Sequence, residues 1–466
     1  MIVLTKGGVL MNKKQFQIRV DKKNLSLTAE QLVFYKQSKV LEATDQHDNH
    51  YYLVFYKNDF INGIKSNKVK INSYIHHAFI KGIHFNGSHP ITTELLKIQK
   101  SFHLISFNQL YKNIQKSYPK LEIALIISYF DSFTKAESSE NLFKRTYYEY
   151  RRNGQNLTAY KLLKTYLNTG HESKFAYDMM NDMQLSKYRE LYQNSLEVYE
   201  KDPINFEAVS FDDLSNNEYT ELLFQLYKEQ DRPLDELAIR TAMLRSKFNK
   251  INFAAFRALI DYLPVADKIL CLQDLKSNTS INKELMTIIM TSNDPNQVAE
   301  FLMSTKLSVP DEQLEMIIQS FERADMYVLS PYFHTSNKRL LKLSKNDAYT
   351  LEKLVKPFVS AFLDDYPLSD ILDWFEPFHD EEHHLPIEQK LLKMKKMQED
   401  PDQQFALGEL YVQFRQFKKS IDCFKWEMEL NPEDRKPITY LSKVYLELGD
   451  KEEAAAYQQL LVQMNK

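Results

Sequence analysis

The chain has 466 residues, a formal charge of −3, 43% hydrophobic and 26% charged residues; this is the balance of a folded protein and excludes a disordered polyampholyte. Glycine is scarce, 9 residues in all where about 7% would be average, which weighs against nucleotide-binding α/β enzymes and favours helices joined by short polar turns. Cys271 and Cys423 have no Cys or His at ligand spacing, no apolar run approaches about 18 residues, and the opening lacks a signal-peptide core, so a reducing, cytoplasmic setting without a membrane span is expected.

Residues 1–10 are expected to carry no structure. Lys6-Gly7-Gly8 ahead of Met11 resembles a translated bacterial ribosome-binding site, which makes Met11 the expected start and the source a bacterium. Residues 11–120 hold 17 Lys and Arg against 7 Asp and Glu, and the remainder is acidic. Two destinations suit such a split: the basic part binds nucleic acid or another polyanion, or it docks on the acidic part of its own chain.

From Lys14 to about Phe85 the pattern is β-like. Gln15–Val20 and Leu25–Thr28 alternate, and Tyr51–Tyr56 is a dense aromatic and branched run ending in a turn at Lys57-Asn58-Asp59. Lys68–Asn72 and Ala78–Phe85 are read as further strands, and Gln31–Tyr35 as strand or helix. After a loop at Asn86–Pro90 the period turns helical over Thr92–Phe102, Ser106–Ser117 and Leu121–Phe133, with Thr92 and Ser106 as N-caps and Tyr118-Pro119 as a stop. The first two of these helices, with Lys112, Lys116 and Lys120, have the outline of a helix-turn-helix. Ser138–Asn141 is a polar seam, and beyond it the chain reads as helix after helix in hairpins.

The tail repeats itself with a shift of 34 residues: Leu407 falls on Leu441, Gly408 on Ser442, Tyr411 on Tyr445 and Ser420 on Ala454. A fixed period of this length indicates stacked helical hairpins. Tyr150, Gly154 and Ala159 occupy the places of Tyr445, Gly449 and Ala454 in a fainter upstream copy. With Leu407, Gly408, Tyr411, Ser420, Phe424 and Pro432 in the first tail copy and Leu441, Tyr445, Gly449 and Ala454 in the second, the tail resembles the tetratricopeptide repeat. Glu427 and Ser442 depart from the family's usual Ala and Gly. The resemblance implies an α-solenoid in which the first helix of each hairpin lines a groove for a peptide or partner helix. The corresponding positions are Phe405, Glu409, Val412, Thr439, Lys443 and Leu446. The basic and Asn residues with which some relatives clamp a C-terminal carboxylate are replaced by Phe405 and Glu409, which disfavours a receptor for such tails.

The expected organisation is therefore mostly α: a smaller basic α+β domain over 11–137, divergent helical hairpins over 138–400 and two well-formed hairpins over 401–466. No Walker loop, dinucleotide fingerprint, nucleophile elbow or kinase signature is present, so neither an enzyme nor a cofactor is expected. His379-Asp-Glu-Glu-His383-His384, between Pro377 and Pro386, is read as a solvated polar loop rather than a metal site. His76, His77, His84 and His89 are read as surface and sheet-edge residues. The function expected is a protein-interaction scaffold or adaptor. The alternative is a regulator that binds nucleic acid through residues 11–120 and senses a peptide or protein with its repeats.

Overall fold

A computed structural model describes residues 14–21, 23–135, 138–171, 173–275, 278–291, 294–304, 309–381 and 383–464. The expectations for residues 1–10 and for Met11 as the start lie outside the described residues. The chain is mostly helical, with an α+β part at the N-terminal end. Its contacts form two units, Met1–Ile281 and Asn282–Lys466.

The sheet of the first unit starts as an antiparallel meander of β1 (Gln15–Val20), β2 (Lys23–Tyr35), β3 (Ser38–Thr44), β4 (His50–Tyr56) and β5 (Asp59–Lys65). β2 is long enough to serve two partners on one edge. Its first half pairs with β1, Phe16 opposite Leu27; its second half pairs with β6 (Ile83–Asn86), Leu32 opposite Phe85. A bulge between Ala29 and Gln31 marks the change. β7 (Phe102–Leu104) adds to β1 in parallel. The sheet curls until this edge reaches β5, where the buried Asn62 amide stands in for a strand partner: it donates to the Ile105 carbonyl at 2.9 Å and accepts from the Ile105 N–H at 3.0 Å. Phe16, Phe55, Phe60 and Phe102, with ring centroids 5.0–5.8 Å apart in successive pairs, fill the space behind that closure.

Three sequence expectations are corrected here. Ala78–Phe85 is not one strand, because Tyr74–Lys81 is a helix that buries Tyr74, Ile75 and Ala78 and is capped by Ser73; Gly82 then separates it from β6. The apparent alternation runs across a helix end and a strand start. Lys68–Asn72 is turn and coil, with Asn72 at positive φ ahead of that cap. The helix-turn-helix outline is absent: the first helix is Pro90–Leu96, and buried Phe102 lies in β7, between it and Phe107–Ser117. The expected cap Ser106 and stop at Tyr118-Pro119 are in place, whereas Thr92 lies inside the helix Pro90–Leu96, whose N-cap is His89.

The polar seam at Ser138–Asn141 is the first turn of the helix Ser138–Arg152. The helices that follow it as far as Ile281 belong to the same unit as the sheet, and the two sheet turns at one end are built into them. The β2–β3 turn, Lys36-Gln37, is buried. Lys36 Nζ pairs with Asp212 at 2.9 Å and donates to the Asn168 carbonyl, and Gln37 donates to the Ile204 carbonyl. At the β4–β5 turn, Asn58 donates to the Asp231 carbonyl. Lys57 lies 3.5 Å from Glu122, and Lys120 pairs with Glu149. Part of the N-terminal basic excess is thus neutralised by carboxylates of the same unit.

In the second unit, Asp311–Arg323 and Phe333–Ser344 pack on the long helix Ala348–Asp365, which buries Leu354, Phe358 and Phe362 along one side. Leu368–Asp373, Glu376–His379 and Pro386–Met397 lead to the tail hairpins, Gln404–Gln413 with Phe417–Leu430 and Arg435–Glu447 with Lys451–Gln463. Each tail helix packs on the next. No helix among the described residues is long and apolar enough to cross a membrane.

Candidate functional site

Each tail hairpin turns through a residue with a left-handed backbone. In the second, Gly449 has φ +82° and the next N–H, that of Asp450, donates back to the Tyr445 carbonyl at 2.9 Å. Arg415 and Gln416 do the same to Tyr411, Gly154 and Gln155 to Tyr150, and Asp231 and Arg232 to Tyr227, at 2.8–2.9 Å. This bond, six residues round to one, satisfies a terminal carbonyl that the helix itself cannot. Among the described residues this combination of a left-handed residue and a return bond to a tyrosine carbonyl occurs at Tyr150, Tyr227, Tyr411 and Tyr445, two in each unit.

The residues expected to pack the tail are not all buried. Leu407, Gly408, Tyr411, Ser420, Phe424, Leu441 and Ala454 are buried, Tyr445 is half-buried and stacks on Tyr457, and Pro432 and Gly449 sit in exposed turns. A Cβ added at Gly408 would stand 2.7 Å from Phe424 Cε1, so the ring occupies the place of a side chain. Ser442, at the matching place in the second copy, donates its hydroxyl to the Ala454 carbonyl at 3.2 Å.

The six candidate groove residues divide by burial. Phe405 and Val412 are half-buried against the cluster of Phe424, Leu441 and Val444. Glu409 accepts from the Tyr440 hydroxyl at 2.8 Å, while Phe405 meets the same Tyr440 edge-on at 5.6 Å. Thr439 returns its hydroxyl to the Arg435 carbonyl. Lys443, with Nζ 5.8 Å from the Tyr440 ring, and Leu446 are exposed. Tyr440 is the residue the repeat pattern missed. Its ring stacks on Phe424 of the Phe417–Leu430 helix at 4.9 Å, and its contacts with Phe405 and Glu409 join the first helices of the two hairpins. Only the contact between copies reveals it, since the 34-residue shift aligns it with Ala406.

In the first unit, a cluster of four charges lies beneath the sheet turns. Arg232 grips Glu207 with Nη2 and Nη1 at 2.7 and 2.9 Å, and donates to Asp235 from Nη2 and Nε at 3.0 and 3.2 Å. Asp235 in turn receives Lys39 Nζ, which also donates to the Lys57 carbonyl at 2.6 Å. The turn described above aims Arg232 inward, over the Tyr227 ring. Two cations and two carboxylates balance, which is the condition for keeping such groups in a core. Burial lowers the Lys39 ammonium, with Asp235 opposing; burial also raises Asp235, but Arg232 and Lys39 outweigh it and hold its carboxyl below the ordinary range.

A polar cleft of about 560 Å³ lies elsewhere in this unit, between β2, β3 and β6 and the side chains of Arg245 and Asp274. Its groups pair with one another. Glu42 accepts from Gln31 and Tyr52 and lies 2.9 Å from His50, and Arg245 binds the His84 carbonyl and Asp274. The four N-terminal histidines do not converge. His76 and His77 are on the Tyr74–Lys81 helix, His84 is on β6, and His89 caps Pro90–Leu96 by accepting from the Ile91 N–H. Lys112 and Lys116 remain exposed. The chain matches no family model and no curated protein.

Proposed function

We propose that this chain is a protein-interaction scaffold or adaptor of the tetratricopeptide-repeat kind, a non-enzymatic α-solenoid of the cytoplasm that holds a peptide or partner helix on the first helices of its tail hairpins. The observation that carries the reading is the Glu409–Tyr440–Phe405 contact. It joins Gln404–Gln413 to Arg435–Glu447, the two helices that carry the candidate groove positions, and Lys443 and Leu446 are exposed on the second of them. The turn shared by Tyr150, Tyr227, Tyr411 and Tyr445 supports reading the upstream helices as eroded copies of the same hairpin. The recognition chemistry on offer is a cation with an apolar side chain, and the carboxylate among the candidate groove positions, Glu409, is already engaged by Tyr440.

The experiment is site-specific photocrosslinking in the full-length chain. A photoreactive residue at Thr439 is expected to give discrete partner adducts that a Lys443→Glu change abolishes, whereas the same residue at exposed Asp422, on Phe417–Leu430, gives none. Equal labelling from the two positions would remove the groove from the reading.

A further inference from the structure

We infer that His379, His384 and Glu388 form a binding site for a divalent transition metal of the zinc class. In the sequence these residues look like parts of a polar loop and a following helix. In the structure, one potential ligand atom from each lies within 4.8 Å of the other two, and His379 Nε2 is 2.9 Å from Glu388 Oε2. Zinc held tetrahedrally at about 2.0–2.1 Å from nitrogen and oxygen sets its ligand atoms roughly 3.4 Å apart. The existing triangle brackets that spacing, and small rotations about side-chain bonds suffice to reach it.

The backbone around the triangle is fixed by packing rather than by the three side chains. His379 ends the short helix Glu376–His379, and Glu388 lies in the first turn of Pro386–Met397 with its side chain largely buried. Between them the Phe378 carbonyl accepts from the N–H groups of Glu381 and His383, at 3.2 and 2.9 Å, and this folds the loop so that His384 returns towards His379. Buried Phe378 packs edge-on against Trp374 and Phe375, and Leu385 and Ile387 are also buried. The ligands thus project from a loop anchored on both sides by core residues, which is the preorganisation a site needs.

The donor set selects the ion. Two imidazoles and one carboxylate suit zinc, nickel or copper, and are poor ligands for magnesium or calcium, which take oxygen. A hydrogen bond between His379 and Glu388 explains only two of the three positions. His384 has its ring centroid 5.3 Å from that of His379, and among the described residues no side chain hydrogen-bonds it. Three protein ligands on an accessible face leave the fourth position to water or to a group supplied by another molecule.

The test is equilibrium dialysis of the metal-stripped full-length chain against zinc, with cobalt as a spectroscopic substitute. One equivalent of zinc is expected to bind, and cobalt to show the intense visible bands of four-coordination. His384→Ala, at an exposed position that leaves the fold intact by circular dichroism, should weaken binding by at least about tenfold, as should Glu388→Gln. His334→Ala, an exposed histidine elsewhere in the unit, should change nothing. No stoichiometric zinc, or zinc binding indifferent to His384→Ala, overturns the assignment.

Discussion

Lys39 Nζ lies 2.6 Å from Asp235 Oδ2, joining β3 to a helix 196 positions further along the chain. The two side chains are 1% and 2% exposed, so neither charge has water to fall back on. Removing one partner strands the other in the core. Asp235→Asn is expected to cost about 3–5 kcal/mol, and Lys39→Met a similar amount, because Asp235 keeps Arg232 but loses half its compensation. Urea midpoints followed by far-ultraviolet circular dichroism measure both. Asp235 is held below the ordinary carboxylate range in the fold. Its contribution is therefore present above the unfolded value near 3.9 and is lost as pH falls through the depressed one.

At the alkaline end the same unit is limited by its tyrosines. Burial pushes the phenols of Tyr56, Tyr74, Tyr129 and Tyr227 far above their ordinary value, so the folded state keeps the protons that an unfolded chain releases near pH 10. A raised value means stability that is complete below about pH 10 and falls as pH rises beyond it. Titration should show a first group of exposed tyrosines ionising smoothly. A cooperative step in tyrosinate absorbance should then coincide with loss of the circular dichroism signal.

The recurrent hairpin turn gives a prediction about backbone. Arg415 and Asp231 adopt the left-handed conformation that Gly154 and Gly449 occupy elsewhere, with φ of +60° and +50°. A β-carbon there costs about 1–2 kcal/mol, less for Asp, and glycine's own entropy returns part of that. Arg415→Gly should stabilise by roughly 0.5–1 kcal/mol and Asp231→Gly by less, whereas Gly449→Ala should destabilise by about 1 kcal/mol. Thermal melts of the three variants decide the order.

Neither thiol should react in the native protein. Burial pushes Cys271 up to about 12 and Cys423 up to about 11, leaving almost no thiolate at neutral pH. A disulfide reagent is expected to titrate none at pH 8 in buffer and both in urea. Rapid labelling of either one without denaturant would show that its surroundings open.

Local chemistry was legible where one signal governed. Tyr51–Tyr56 reads as a strand because branched and aromatic residues run to a turn, and Phe107–Ser117 reads as a helix because Ser106 and Tyr118-Pro119 bound it. What escaped depends on partners distant in sequence. β3 carries Lys39 at a fully buried place, so it shows no clean alternation, and a charged residue reads as solvated until Asp235 and Arg232 are seen beside it. Phe102 reads as the end of a helix, yet β1 offers it a strand edge. In the tail, Gly408 and Phe424 were legible from the period, while Tyr440 emerges only where one copy touches the next. His384 and Glu388 approach because the Phe378 carbonyl folds the loop, a contact that no spacing rule contains.

The long reach from Lys39 to Asp235 also sets an order of events during synthesis. A ribosome adding about 5–20 residues per second needs roughly 10–40 s to travel from one to the other. Throughout that interval the nascent meander presents a lysine where its finished form has a sealed interior, and the helices that cover it have not emerged. The meander cannot mature early. The buried Lys39–Asp235 pair waits for the Pro233–Ser246 helix, so the sheet is sealed only after that helix has emerged.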